Sequence, residues 1–178
     1  MAGIQGTATF VGTTANGDAA EIASIEQASF VLTRGPFPAS GFLSTPVLGQ
    51  TLPTTGDLEL VYGDATITLS GMRVAEASVA SLDIPVVNVR IEDRRWRWGY
   101  QDIVGRYNVR EGTGAIRFEK SPQDLAALIF EAIGETDYDV SAMPNLSRPF
   151  VDWQNEPCSL ALAGLLASVG CDVAPDLA

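Results

Sequence analysis

The sequence predicts an α+β protein, mainly antiparallel β, with two helices appended near 121–134 and 156–170. Three observations carry this. Short runs rich in Thr, Val and Phe, separated by Gly and Pro, fill the first hundred residues. Apolar and polar residues alternate strictly in the best of those runs. After Gly114 the apolar spacing changes to that of helices, each opened and closed by recognisable signals. With 178 residues, 46% hydrophobic and 19% charged, the chain has enough apolar material to bury a core.

In chain order, Thr7 to Val11 and Ala28 to Thr33 are the first β-prone runs. Gly35-Pro36, Pro38, Gly41, Pro46 and Gly49 then crowd into 35–53, a density of breakers that predicts a long loop. Leu58 to Tyr62 and Ala65 to Leu69 flank Gly63-Asp64, a two-residue hairpin signal. Ile67 and Leu69 alternate with Thr66, Thr68 and Ser70, as in a half-buried strand. Met72 to Val79 reads as a further strand, and Ile84 to Ile91 as another. In the latter, Val87, Val89 and Ile91 share one face, Asn88, Arg90 and Glu92 the other, and Pro85 fits only its start or an edge.

The helical signals are sharper. Ser121-Pro122-Gln123-Asp124 supplies an N-cap, a proline at the first helical position and an acid in the first turn. Leu125, Leu128, Ile129 and Ile133 follow on one face, and Gly134 ends the helix. A second helix is expected from Glu156-Pro157 through Leu160, Leu162, Leu165, Leu166 and Val169 to Gly170. The linker Tyr138 to Gln154 between them is turn-rich, with Pro144, Pro149 and Trp153. The expected organisation is a β-rich body over 1–115, with its long loop near 35–53, and a helical appendage over 116–178 packed on it.

Composition excludes much chemistry. Without a histidine, the chain alone builds no Ser-His-Asp triad, Cys-His pair or His-ligated metal site. No metal and no cofactor is expected. Cys158 and Cys171 each lie in or beside an apolar helical run, where a small buried thiol is the ordinary reading. A net charge of −11 argues against general nucleic-acid binding. MAGIQGTATF lacks the basic and apolar regions of a signal peptide, and no apolar run reaches the length of about 18 that a span requires. A soluble chain made in the cytoplasm is expected.

One segment stands apart. EDRRWRWGYQDIVGRYNVR, residues 92–110, holds five of the eleven Lys and Arg residues and two of the three tryptophans. If the strand continued past Ile91, Trp96, Trp98 and Tyr100 would face one way, Arg95, Arg97 and Gln101 the other. A nucleic-acid platform needs aromatics and cations on one accessible face, so alternation opposes it. Stacking of carbohydrate on exposed tryptophan is another reading, although a Trp pair on a strand is more commonly core. Protein contact is the third: Trp, Tyr and Arg dominate hot spots, and a cationic strip on an acidic chain complements an acidic neighbour. The candidate interface residues are Arg94, Arg95, Trp96, Arg97, Trp98, Tyr100, Arg106 and Arg110. Internal pairing with Glu92, Asp93 or Asp102 is the alternative, and both readings stay open at this point. Catalysis would need a carboxylate pair such as Asp137 with Asp139, or Glu92 with Asp93. Isolated acids in loops and strand ends are mostly solvated, so no catalytic residues are assigned.

The strings DRRWRWGYQDIVGRYNVR, SPQDLAALIFEAIGE, YDVSAMPN, VDW and NEPCSLALAGLLASVGC, taken in that order, resemble the N-terminal part of tail hub or baseplate hub proteins of long-tailed bacteriophages. The match covers about residues 85 to 173. The resemblance implies barrel-like β modules related to tail-tube proteins, in a ring, commonly a trimer, at the tail's distal end. It implies a structural virion protein joining the tube to tip or fibre proteins around an axial channel. DNA would pass an acidic wall there without specific binding. The partners would be other phage tail proteins and further copies of the chain, with no membrane insertion. A tail-tip cell-wall hydrolase, or a glycan- or receptor-binding module, is the alternative. Family members continue beyond the G-C helix, whereas this chain stops at Ala178. The expectation is that another chain supplies those domains, or that this is a shortened relative.

Overall fold

The structure, a computed structural model, describes residues 6–22, 24–46, 49–81 and 86–174. The chain divides into two compact units: one within residues 6–33 and 38–96, the other within 34–37 and 97–174.

The first unit is a seven-stranded antiparallel sheet. Its strands are β1 (Thr7–Thr13), β2 (Ala19–Ile22), β3 (Gln27–Phe30), β4 (Ser40–Thr45), β5 (Thr55–Tyr62), β6 (Ala65–Ser81) and β7 (Val86–Glu92), in the spatial order β2-β1-β5-β6-β7-β4-β3. Phe10, Ile22, Leu43, Leu58, Met72, Val89 and Ile91 form its core. On β7, Val89 and Ile91 are buried and Val87 half-buried, as the alternation requires; Pro85 and Ile84 lie outside the described residues. Tyr62 pairs with Ala65 across Gly63-Asp64, and Gly63 takes the positive φ of 61° that such a hairpin needs.

Three expectations are corrected here. The barrel-like body is an open sheet: among the described residues no ladder joins β2 to β3, the short strands that end it on either side. The loop expected over 35–53 contains β4. Gly41, read as a breaker, is where β3 crosses close, since a Cβ there would lie 2.4 Å from the Phe30 ring and from the Ser29 carbonyl. The two strands expected over 65–79 are one 17-residue strand, β6, bent by register shifts against β5 and β7.

The second unit packs a two-stranded ribbon, β8 (Asp102–Tyr107) with β11 (Val151–Pro157), against α1 (Pro122–Ile133) and α2 (Cys158–Val169). A small hairpin, β9 (Val109–Arg110) with β10 (Ile116–Arg117), lies between β8 and α1 in the chain. Trp98, Ile103, Leu125, Ile129, Phe130, Trp153, Leu162, Leu165 and Leu166 are the large members of its core.

Helix α1 starts and stops where its signals stand. Ser121 Oγ accepts from the Asp124 N–H at 3.1 Å and the Asp124 carboxylate accepts from the Ser121 N–H at 3.1 Å, a reciprocal capping box. The hydrogen bonds from Ser121 hold the Asp124 carboxyl below the usual aspartate range. Gly134 closes the helix at φ 76°. Helix α2 has Pro157 at its N-cap with no side-chain cap, and the Cys158 N–H instead donates to the Gln101 carbonyl at 2.8 Å. The end of the expected 138–154 linker is ordered into β11. Among the described residues no helix is long and apolar enough to cross a membrane.

Candidate protein interface

The strand expected to carry the tryptophans ends at Glu92, and Arg94–Gly99 is a 3-10 helix. The alternation of aromatic and cationic faces therefore does not form. Asp93 turns the chain: its carboxylate accepts from the Arg95 N–H at 3.0 Å, and its carbonyl from the Trp96 N–H at 3.0 Å. The same carboxylate accepts from the Ala39 N–H at 3.1 Å and from Arg95 Nη2 at 2.6 Å. Asp93 is 8% and Arg95 4% exposed, so this is an ion pair within the first unit.

Arg94 and Trp96 are half-buried. The Trp96 indole Nε1 donates to the Gly71 carbonyl at 3.1 Å, and the Arg73 guanidinium lies 5.1 Å from its ring centroid. Arg73 in turn meets Glu92, its cross-strand partner, at 2.7 Å, and Glu92 takes Arg90 at 2.6 Å. Both acids weighed as a catalytic pair, Glu92 and Asp93, thus neutralise arginines of their own unit. In the other weighed pair, Asp137 with Asp139, the Asp139 carboxylate accepts from the Ser141 N–H at 2.7 Å. That bond holds its carboxyl below the usual range, which suits a turn and opposes proton donation near neutral pH.

In the second unit Trp98 is core: it meets Phe130 edge-on at 5.6 Å, and Phe130 stacks on Tyr138 at 4.4 Å. Its indole Nε1 makes no hydrogen bond among the described residues. Arg97 is exposed, 3.8 Å from the buried Glu135 carboxylate. Tyr100 is exposed. Arg106 projects from the open face of β8, 3.5 Å from its register partner Asp152 and 5.8 Å from the Phe150 ring centroid. Arg110 is exposed on β9. The segment is therefore split: Arg95 and Trp98 are interior, while Arg97, Tyr100, Arg106 and Arg110 reach the surface. Cys158 is buried and free, its thiol pushed up by burial and then by the Asp102 charge; Cys171 is free and half-buried.

Sequence reasoning did not single out Asn108, which organises the exposed end of this segment. It is 1% exposed, sits at φ 57°, and uses both amide hydrogens and its oxygen: Nδ2 donates to the carbonyls of Lys120 (2.9 Å) and Pro149 (2.8 Å), and Oδ1 accepts from the Lys120 N–H at 2.8 Å. Its own N–H donates to the Phe118 carbonyl at 3.2 Å. Phe118, 68% exposed, is held at φ 53°, a left-handed conformation that is an outlier for a bulky residue. The available signal was the G-R-Y-N string itself, since Asn tolerates the left-handed region better than other non-glycine residues.

No protein-family model matches the sequence, and no curated protein does. A solved structure does: the crystal structure of the tail protein from Neisseria meningitidis MC58, with a TM-score of 0.50 over 92% of this chain. The chain shares the fold of that protein. Sequence identity is 17%, and the chain spans 46% of the length of that tail protein.

Proposed function

We propose that the chain is a structural, non-catalytic component of a bacteriophage tail, acting as part of a hub, baseplate or tip. In this reading it joins the tail tube to distal tip proteins around an axial channel, in a ring for which a trimer is favoured. The observation that carries it is the shared fold with a tail protein over 92% of the chain. The hub-like strings between about 85 and 173 support the more specific position, since several of them coincide with ordered elements: the 3-10 helix, the Asn108 turn, the capping box of α1 and the glycine-closed α2. The use of Glu92 and Asp93 as arginine partners supports a structural rather than an acid–base role. A net charge of −11 suits a channel wall past which DNA slides.

The test is the intact particle. Mass spectrometry of purified virions, with antibody labelling viewed by electron microscopy, should find the chain in low copy number at the distal end of the tail. Its absence from particles, or its presence only in heads, would sink the proposal.

A further inference from the structure

The second unit displays three large apolar side chains on segments that are tied to each other. Phe118, Leu146 and Phe150 are 68%, 96% and 57% exposed. Asn108 binds both Lys120 and Pro149, and the Arg148–Glu119 ion pair at 2.7 Å joins the same two stretches. Arg148 Nη1 also donates to the carbonyls of Asn145 and Ser147, which fixes the turn that carries Leu146. These side chains are therefore held out on an ordered base, and Phe118 is held out against its backbone preference. Strain of that kind collects where a side chain is needed in place.

Charge says what fits. Residues 104–120 and 145–154 contain five cations and three acids, a net of +2, so the rest of the chain carries −13 of the total −11. Asp152, Glu111 and Glu119 pair with Arg106, Arg117 and Arg148, while Arg110 and Lys120 make no ion pair among the described residues. Two such patches facing each other would repel. The rest of the chain is acidic on balance and offers a copy the charge that attracts it.

We propose that Phe118, Leu146 and Phe150, with Arg110 and Lys120 at their rim, dock a second copy of this chain through an acidic face distinct from the patch itself. The contact is head-to-tail, so it closes a ring or extends a filament and does not make a two-fold dimer. It rests on the tail-component reading, in which copies assemble, and it places the apolar anchor outside the tryptophan segment.

The experiment uses the full chain in sedimentation velocity at low and high salt. Phe118→Asn keeps a residue that tolerates the left-handed backbone, and Phe150→Ser removes the second ring. Together they should weaken self-association roughly 30-fold or more, as loss of hot-spot anchors does. Leu146→Glu, at a nearly fully exposed position, checks the patch independently of folding and should weaken association in the same direction. A photo-crosslinking residue at 118 should capture a peptide of a second copy outside 104–120 and 145–154. Wild-type protein that stays monomeric, variants that associate like wild type, or a 118-to-118 crosslink would each overturn the docking surface. Monomeric protein that is nonetheless found in tails would defeat this surface and leave the tail reading standing. Association of a chain absent from particles would do the reverse.

Discussion

The Asn108 side chain grips Lys120 by both backbone groups, accepting from its N–H at 2.8 Å and donating to its carbonyl at 2.9 Å. A single buried amide thus fixes the residue that precedes the N-cap of α1, and through Pro149 it fixes the approach to β11 as well. The strands and helix of the second unit are joined at one polar point inside the chain, where each bond replaces water that is no longer there.

Replacing Asn108 should therefore be expensive. Asn108→Ala leaves Lys120 N–H and two carbonyls without their partner and puts a β-carbon residue without a local hydrogen bond at φ 57°. A loss of about 2–4 kcal/mol is expected from the stranded buried groups. Asn108→Gly keeps the backbone freedom and should lose less. Urea denaturation of the two variants checks this, and equal midpoints for wild type and Asn108→Ala would refute the tie.

The cap of α1 makes a smaller, pH-dependent claim. Ser121→Ala should cost about 1 kcal/mol near neutral pH. The Asp124 carboxyl is depressed in the folded state by Ser121, so its contribution is present above the unfolded value and is lost as pH falls through the folded one. The gap between wild type and Ser121→Ala should accordingly narrow below about pH 4. Thermal melts across that range decide it; a gap that widens on acidification contradicts the capping box.

How much of this was legible depended on how local the cause was. Helix α1 was readable to the residue because Ser121, Pro122, Asp124 and Gly134 act within their own turns. The Gly63-Asp64 hairpin was readable for the same reason. The 3-10 helix was not, because Asp93 turns the chain while anchored to Ala39, far away in sequence. Gly41 looked like a breaker because the close crossing of β3 that requires it is a tertiary fact. β2 is four residues long and half alanine, and β11 sets Val151 and Trp153 among polar residues, so neither declares itself. In the candidate interface, the richness in Arg and Trp was visible. Which of those residues face inward was not, and neither was the exposure of Phe118, Leu146 and Phe150.

Two core positions calibrate the second unit. Leu165, on the buried side of α2, should cost roughly 2–5 kcal/mol when cut to Ala. Trp98→Ala should cost about 3–5 kcal/mol, through the cavity left by a buried indole that packs edge-on against Phe130. Guanidinium denaturation followed by far-UV circular dichroism measures both. A neutral Leu165→Ala would mean that α2 does not pack as described.

Arg95 and Asp93 separate fold chemistry from assembly within one short segment. Their pairing at 2.6 Å is buried, so removing one charge strands the other. Arg95→Met should destabilise by about 3–5 kcal/mol, and adding Asp93→Asn to it should recover part of that loss. Neither change should alter self-association once the protein is folded.

The exposed arginines should behave in the opposite way. Arg97 and Arg106 have acidic partners at 3.8 and 3.5 Å, both at the loose end of ion pairing, and Arg106 and Arg110 stand on open strand surfaces. The Arg106–Asp152 pair is of the exposed kind that contributes about 0–1 kcal/mol to stability, so Arg→Gln at Arg106 and Arg110 should leave the melting temperature nearly unchanged, while Arg97, whose partner Glu135 is buried, is left in place. If these two cations meet carboxylates of a neighbouring copy, the same double change should weaken association, and raising salt should weaken wild type in the same direction. Sedimentation at two ionic strengths, read beside a thermal melt, separates the two roles. A double variant that associates normally but melts earlier would assign these arginines to the fold alone.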